Sequence, residues 1–218
     1  MDPLTVISQR ANELFRESFT ECCRIRDEIS TPASASSQAE KHRVIIAKKN
    51  LMDSAQLAGQ IVRALDSGST LLALIGLRSL TESLINTKYA FAHPKKVDKV
   101  VWAQQVCDDY FKRGNDPSAQ KNKLNDEAIA KRSKEIGEED LHNKTYVGLC
   151  NYSHMLVHTG LPNNPIKFEE FTRNGYVTDL TTLHDIREHI RGHFDIKGWA
   201  AHEQRLVEFQ RKYFSDNK

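Results

Sequence analysis

The sequence lacks any hydrophobic run long enough to cross a bilayer. Its longest strongly apolar stretch, residues 71–77, is far shorter than the roughly 18 to 20 residues that a membrane-spanning helix needs. The N-terminal residues 1–3 lead into an amphipathic pattern instead of a charged segment followed by an apolar one, so no export signal is predicted. We therefore expect a cytoplasmic protein without a membrane span.

The sequence also lacks an excess of either charge and most of the short motifs that hold cofactors. The 31 Lys and Arg nearly cancel the 29 Asp and Glu, and like charges form no long block, so no basic stripe for nucleic acid is predicted. A local RNA contact stays open. No G-x-x-x-x-G-K-[ST], G-x-G-x-x-G or G-x-S-x-G pattern occurs. These absences argue against phosphate-loop, dinucleotide-binding and α/β-hydrolase functions, and we expect no cofactor.

Cysteine is scarce. Without export, the four cysteines are expected to be reduced thiols, and the absence of C-x-x-C argues against a zinc ribbon or a thioredoxin-like site. They are Cys22, Cys23, Cys107 and Cys150.

What the sequence does contain is a helical pattern along most of its length. Apolar residues recur at three- and four-residue spacing, which predicts an all-α bundle of six to seven helices. Residues 1–30 form an amphipathic helix, read either as an arm or as part of the bundle. A Ser/Ala-rich loop follows over residues 31–40, and residues 41–218 form the main helical domain. A helix over residues 69–92 is apolar on nearly every side, so we place it at the centre.

Two segments depart from this pattern. A helix that opens at Asp116-Pro117 is mostly polar, so we expect it to be exposed. Residues 167–179 contain Asn174-Gly175 between Phe171 and Tyr176, which is compatible with one short β-hairpin.

Arg78 and Glu82 are the most informative polar residues, because they lie four apart in the apolar helix over residues 69–92. Burying charges costs several kcal/mol unless they are paired and hydrogen-bonded, so this pair needs partners from elsewhere in the fold. Two interpretations stay open: an ordinary ion pair with an architectural role, or part of a functional site. We expect Arg78, Glu82 and His154 to meet in space.

A second group lies at four-residue spacing on one face of a later helix, over residues 138–159: Tyr146, Cys150, His154 and His158. A thiolate and imidazoles are zinc ligands, and two histidines four apart on a helix can chelate a metal ion. The weak metal candidates are therefore Cys150, His154 and His158. The alternative is that they face the core, with Glu82 as hydrogen-bond partner of His154.

The run Arg78-Ser79-Leu80-Thr81-Glu82, followed later by Leu149-Cys150-Asn151-Tyr152-Ser153-His154, resembles a class of bacterial all-helical proteins with an R-x3-E helix and a later L-S-x-x-x-H helix. The resemblance covers about residues 40–160. It implies a bundle similar to HEPN-type domains, a superfamily rich in ribonuclease toxins and phage-defence components. Cys150 stands where that pattern has serine, so a role that requires a hydroxyl at this position is in doubt.

HEPN ribonucleases carry an R-x4–6-H motif, and in this chain only the stretch from Arg187 to His193 fits that spacing. Glu188 directly follows Arg187 and would repel RNA, so we do not read this stretch as a nuclease motif. We interpret it instead as a solvated, partly basic helix face, formed by His184, Arg187, His189, Arg191 and His193.

Three functional hypotheses follow. The first is an HEPN-like protein with a conflict-related or regulatory role, directed at RNA, in which Arg78, Glu82 and His154 are the candidate catalytic residues. The second is a non-catalytic protein-interaction module in which the same three residues form a buried polar cluster. The third is a metal-dependent hydrolase. Whether the protein is an enzyme stays open. The first helix must bury its apolar stripe either on its own bundle or on a second protomer, and we expect a protein partner or a homodimer.

Overall fold

The computed structural model describes residues 3–30, 38–93, 126–151 and 165–214 of the chain. In these ranges it contains six α-helices, one π-helical segment and no strand, which confirms the all-α prediction. The helices are α1 (Pro3–Glu28), α2 (Gln38–Asp66), α3 (Thr70–Ala92), α4 (Asp126–Glu135), α5 (Pro165–His193) and α6 (Ala200–Phe214). The π-helical residues Leu141–Tyr146 are called the π segment below.

The core lies where α2, α3 and α5 pack together, and α1 closes one side of it. α1 packs against α2 and α5 of the same chain, so its apolar stripe is buried within the bundle. α6 packs on α1 and α5. Fully buried side chains of this core include Leu14, Leu51, Ile61, Leu80 and Ile190.

The β-hairpin prediction for residues 167–179 is wrong, because α5 runs through this stretch as one helix. Gly175 explains the error. A Cβ at this position would lie 2.9 Å from the Leu65 side chain, so glycine serves the close packing of α5 on α2 and not a turn. Tyr176 then donates a hydrogen bond to Asp66 at the end of α2.

Ser67 and Gly68 form the turn that follows α2 and leads to α3. Gly68 has a φ of 71°, a left-handed conformation that glycine adopts without strain. Across this turn, the Ser69 backbone N–H donates to the Ala64 carbonyl at 2.8 Å. This hydrogen bond satisfies one of the carbonyls at the end of α2.

α3 is central but not covered on every side. Leu72 and Ile75, near its beginning, are 64% and 49% exposed.

No helix within the described ranges combines the length and the apolar character that crossing a membrane requires. Residues 194–199 separate α5 from α6. Most of the loop predicted over residues 31–40 lies outside the described residues.

Asp179 is a polar side chain in the apolar interior. It is fully buried on α5, and no described group hydrogen-bonds either of its carboxylate oxygens. Burial therefore raises the pKa of Asp179 well above its ordinary value. The folded state therefore favours the protonated, uncharged form of Asp179 more than the unfolded state does.

We expect Asp179→Asn to change how stability depends on pH. Because the folded-state pKa of Asp179 is raised, wild-type stability falls as the pH rises above about 4, the usual unfolded-state value, and keeps falling up to the folded-state pKa. The free energy of unfolding of the variant, minus that of the wild type, should grow by about 1.4 kcal/mol per pH unit over that window. Urea denaturation between pH 4 and 7 measures this difference.

Asp53→Asn is the matched control, since Asp53 is an exposed residue on α2 that pairs with Lys49. The result for this variant is the reference with which that for Asp179→Asn is compared. A difference between Asp179→Asn and wild type that stays constant with pH would show that Asp179 is already ionised in the fold.

Candidate functional site

One face of α3 carries four polar or aromatic residues at three- and four-residue spacing. We call Arg78, Glu82, Asn86 and Tyr89 the α3 polar face. α4 and the π segment pack against α3, and the contacts below show that they cover this face. The face is partly buried, so its charged groups work in a less polar environment than water.

Arg78 is held by a residue of the π segment. Its Nε and Nη2 atoms donate to the Tyr146 hydroxyl at 3.2 and 2.9 Å, and its guanidinium carbon lies 5.1 Å from the centre of the Tyr146 ring. Tyr146 is only 1% exposed, whereas Arg78 keeps part of its surface in solvent. A buried, well-packed phenol therefore positions a partly exposed cation.

The π segment places Tyr146 where Arg78 can reach it. A π-helical turn holds one more residue than an α-helical turn, and such turns occur frequently at functional sites. Tyr146 packs with Ile85 and Ile129, and Cys150 packs against the same apolar group. Tyr146 and Cys150 therefore both face α3.

α4 supplies a second cation to the α3 polar face. Nη1 of Arg132 donates to Asn86 Oδ1 at 2.5 Å, and its guanidinium carbon lies 5.8 Å from the centre of the Tyr89 ring. Burial lowers the pKa of Arg132, and the negative charge of Glu82 opposes this shift. Glu82 is therefore close enough to Arg132 to attract it.

Arg132 was not predicted as a site residue, because the helix around it is mostly polar and was expected to be exposed. That expectation is wrong for one side of α4, where Ile129 and Ser133 are buried. Arg132 follows Ile129 by three residues and precedes Ile136 by four, so the apolar spacing placed it on the covered face. This apolar spacing is hard to recognise in the sequence, because most of the neighbouring residues are polar.

The expected meeting of Arg78, Glu82 and His154 is resolved only in part. Arg78 and Glu82 lie on the same face of α3, but His154 and His158 lie outside the described residues. Of the three weak metal candidates, Cys150 alone is described. Within the described ranges, no three His, Cys, Asp or Glu side chains are grouped so as to hold a metal ion.

Arg187 contradicts the interpretation of its helix face as solvated. It is 1% exposed and lies where α5 meets α1 and α6. Its Nη2 atom is 2.7 Å from His184 Nδ1, and its Nε is 3.4 Å from Glu188 Oε1. Arg187 lies four residues after Leu183 and three before Ile190, both buried, so the apolar stripe of α5 includes it.

The same junction contains a serine, a histidine and a glutamate in a row. Ser18 Oγ lies 2.9 Å from His202 Nε2, and His202 Nδ1 lies 2.9 Å from Glu17 Oε2. This order matches the relay of a hydrolase nucleophile. However, Ser18 and His202 are both 0% exposed, so a substrate has no access to the hydroxyl. The row instead links α6 to α1.

Comparison of the chain with known protein families, with curated proteins and with solved structures gives no match. The geometry of the side chains is therefore the evidence for a function. On that basis the α3 polar face is the better candidate site, because it combines preorganised cations with partial exposure.

We expect Tyr146→Phe to destabilise the protein by about 1 to 2 kcal/mol. The substitution keeps the packed ring but removes the oxygen that accepts two hydrogen bonds from a charged group. Urea denaturation measures the loss, with Tyr213→Phe on α6 as the control for removal of a phenol. Equal effects of the two substitutions would show that the Arg78 contact contributes nothing specific.

Proposed function

We propose that this chain is a cytoplasmic, HEPN-like helical protein that acts on RNA, with the α3 polar face as its RNA-binding centre. Arg78 binds a phosphate group in this proposal, and His154 transfers protons. The proposal rests on the resemblance of the R-x3-E and L-[SC]-x-x-x-H helices and on the arrangement of cations and aromatic rings described above.

The observation that carries the proposal is the positioning of Arg78 by Tyr146. A guanidinium binds phosphate through paired hydrogen bonds and keeps its charge at every physiological pH. Because Tyr146 is buried and fixed, Arg78 is oriented before a ligand arrives, which lowers the entropic cost of binding. Its partial exposure leaves room for contact with a ligand.

The surroundings of Arg78 also suit RNA. The His142 ring stacks on Tyr146 at a centroid distance of 5.5 Å and an angle of 24°. Aromatic rings and guanidinium planes beside a phosphate-binding cation are the groups on which unpaired RNA bases stack. The near-neutral charge of the chain fits a local contact better than a long tract of backbone contacts.

Cleavage of RNA without a metal ion requires a proton carrier and a cation that stabilises the charge on phosphate. Arg78 supplies the cation in this proposal. His154 follows Tyr146 by eight residues, and it belongs to the motif that carries the HEPN resemblance. In this proposal Glu82 has a structural role, because its negative charge attracts Arg132 of α4, which packs on the α3 polar face.

We expect Arg78→Ala and His154→Ala each to lower the rate of cleavage of single-stranded RNA by about a hundredfold, the usual effect of losing one such group. Arg78→Lys keeps the charge but loses the paired hydrogen bonds, so its activity should lie between those of wild type and Arg78→Ala. Lys144→Ala is the matched control, because Lys144 belongs to the same π segment and is 75% exposed.

Gel-based cleavage and fluorescence anisotropy on the same RNA at low salt separate catalysis from binding. Cleavage equal in wild type and in both alanine variants would contradict the catalytic part of the proposal. Binding that is also unchanged in Arg78→Ala would contradict the assignment of the α3 polar face.

A second candidate function is protein interaction through a homodimer, and a groove beside α3 favours it. The groove has a volume of about 430 Å³ and lies between the end of α2 and the beginning of α3. Leu72 and Ile75 protrude from the surface, and the small residues Ala64 and Gly76 beside them line the groove. The same patch therefore offers side chains that can insert into a partner and a groove that can receive them. Residues 70–77 carry no charge, and Arg63 is the charged side chain among those that line the groove. Two copies can therefore face each other across the apolar part of this patch, with Arg63 at its side.

We expect Leu72→Asp and Ile75→Asp each to convert a dimer into a monomer of 24.9 kDa in light scattering at high micromolar concentration. Both side chains are already exposed, so the free energy of unfolding of the monomer should change little. Ile45→Asp is the control, since Ile45 is 57% exposed on α2 and does not line the groove. A wild-type chain that is monomeric at that concentration contradicts the dimer.

A further inference from the structure

Cleavage of RNA by its own ribose 2′-hydroxyl moves two protons, and each of them needs a carrier. One proton leaves the 2′-hydroxyl as it attacks phosphorus. The other joins the 5′-oxygen as it departs. The proposed function assigns one proton carrier, His154, and one cation, Arg78. A second proton carrier is therefore expected beside the phosphate that Arg78 binds.

His142 of the π segment lies beside the same tyrosine that holds Arg78. The ring centres of His142 and Tyr146 are 5.5 Å apart, and the two rings are inclined by only 24°. The guanidinium carbon of Arg78 lies 5.1 Å from the centre of that same tyrosine ring. Because Tyr146 is buried and packed, it keeps a cation and an imidazole close together. A ribose 2′-hydroxyl lies next to the phosphate on the neighbouring carbon, so two groups this close can act on one linkage.

The hydrogen bond of the His142 ring determines which of its nitrogens can take up a proton. Nδ1 lies 2.8 Å from Asn143 Oδ1, and an amide oxygen accepts hydrogen bonds but cannot donate them. Nδ1 therefore carries the proton of the neutral ring, and Nε2 has the free lone pair. The ring also keeps part of its surface in solvent, so a substrate can reach it.

We propose that His142 is the catalytic base of the RNA cleavage described under the proposed function, on which this inference rests. Nε2 of His142 takes the proton of a ribose 2′-hydroxyl, and the 2′-oxygen forms a bond to the adjacent phosphorus. The bond between phosphorus and the 5′-oxygen breaks, and this oxygen takes a proton from His154. Arg78 stabilises the negative charge that develops on the phosphoryl oxygens.

The products are a 2′,3′-cyclic phosphate and a 5′-hydroxyl. Water then carries a proton away from His142 and returns one to His154, which restores both residues. No oxidant, reductant or further reactant is needed. Asn143 is a positioning residue in this reaction, because its hydrogen bond keeps the lone pair on the ring nitrogen that faces away from it.

His142→Phe separates the base from the stacked ring, because phenylalanine keeps an aromatic ring beside Tyr146 but has no nitrogen. Its rate of cleavage of single-stranded RNA should be lower than that of wild type by about a hundredfold or more. Its affinity for the same RNA, measured by fluorescence anisotropy, should stay close to that of wild type. His193→Phe is the matched control, since His193 is an exposed histidine that contacts the ring of Phe91 on another part of the bundle.

Free imidazole distinguishes a catalytic role from a structural one. In His142→Ala, where the ring is absent, added imidazole should restore part of the lost cleavage by acting as the base. In Arg78→Ala it should restore none, because a cation is missing there and not a base. Cleavage by His142→Ala that stays low at every imidazole concentration would contradict the base assignment.

A measurement on the unmodified chain needs no activity. Nitrogen chemical shifts from NMR distinguish the two tautomers of a neutral imidazole, and those of His142 should show the proton on Nδ1. Asn143→Ala, which lacks the acceptor, should shift the ring towards the other tautomer. A wild-type ring with its proton on Nε2 has no lone pair there, and the proposal would be wrong.

The cleavage assay also tells failure of this inference apart from failure of the proposed function. If wild type cleaves RNA and Arg78→Ala does not, but His142→Phe cleaves as fast as wild type, only the assignment of the base is wrong. If wild type cleaves no RNA, both the proposed cleavage and the base assignment are wrong.

Discussion

The packing of α5 against four other helices is the constraint on which the rest of the structure depends. α1, α2, α3 and α6 all contact it. Gly175 brings α5 close to α2 at Leu65, and buried side chains such as Leu183 and Ile190 continue the contact along the helix. Because one helix must serve so many neighbours, nearly all of its sides are covered, and some polar residues are covered with them.

The covered polar groups differ in how the fold compensates them. Arg132 donates to an amide oxygen of Asn86 and is attracted by the charge of Glu82, so the cost of its burial is partly offset. Arg187 has a single neutral acceptor, His184, and an acid at a longer distance. Asp179 has no hydrogen-bond partner among the described residues, and burial raises its pKa. Because the pKa of Asp179 is raised, the stability of the fold depends on the protonation of this carboxyl group.

The two polar regions of the bundle therefore suit different roles. At the junction of α1, α5 and α6, Ser18 and His202 are closed to solvent, so their hydrogen bonds hold helices together. On the α3 polar face, Tyr146 is buried but Arg78 is not, so a fixed group presents a charge towards solvent. A ligand-binding site needs side chains that are already oriented and that solvent can reach. Of these two regions, only the α3 polar face meets both requirements within the described residues.

Periodicity alone was sufficient for much of the fold. The three- and four-residue spacing of apolar residues predicted an all-α bundle, because this spacing is a local property of the chain. Periodicity did not distinguish a turn glycine from a packing glycine at 175, since that depends on the approach of Leu65.

For the candidate site, the sequence by itself determined which polar residues share a helix face, and it marked Arg78 and Glu82 as needing partners. Only the tertiary structure decided that the partners are Tyr146 for Arg78 and Arg132 for Glu82, and that Arg187 is buried. The physical reason is that spacing along one helix determines which residues lie together, whereas their exposure and charge environment depend on which other helix packs against that face.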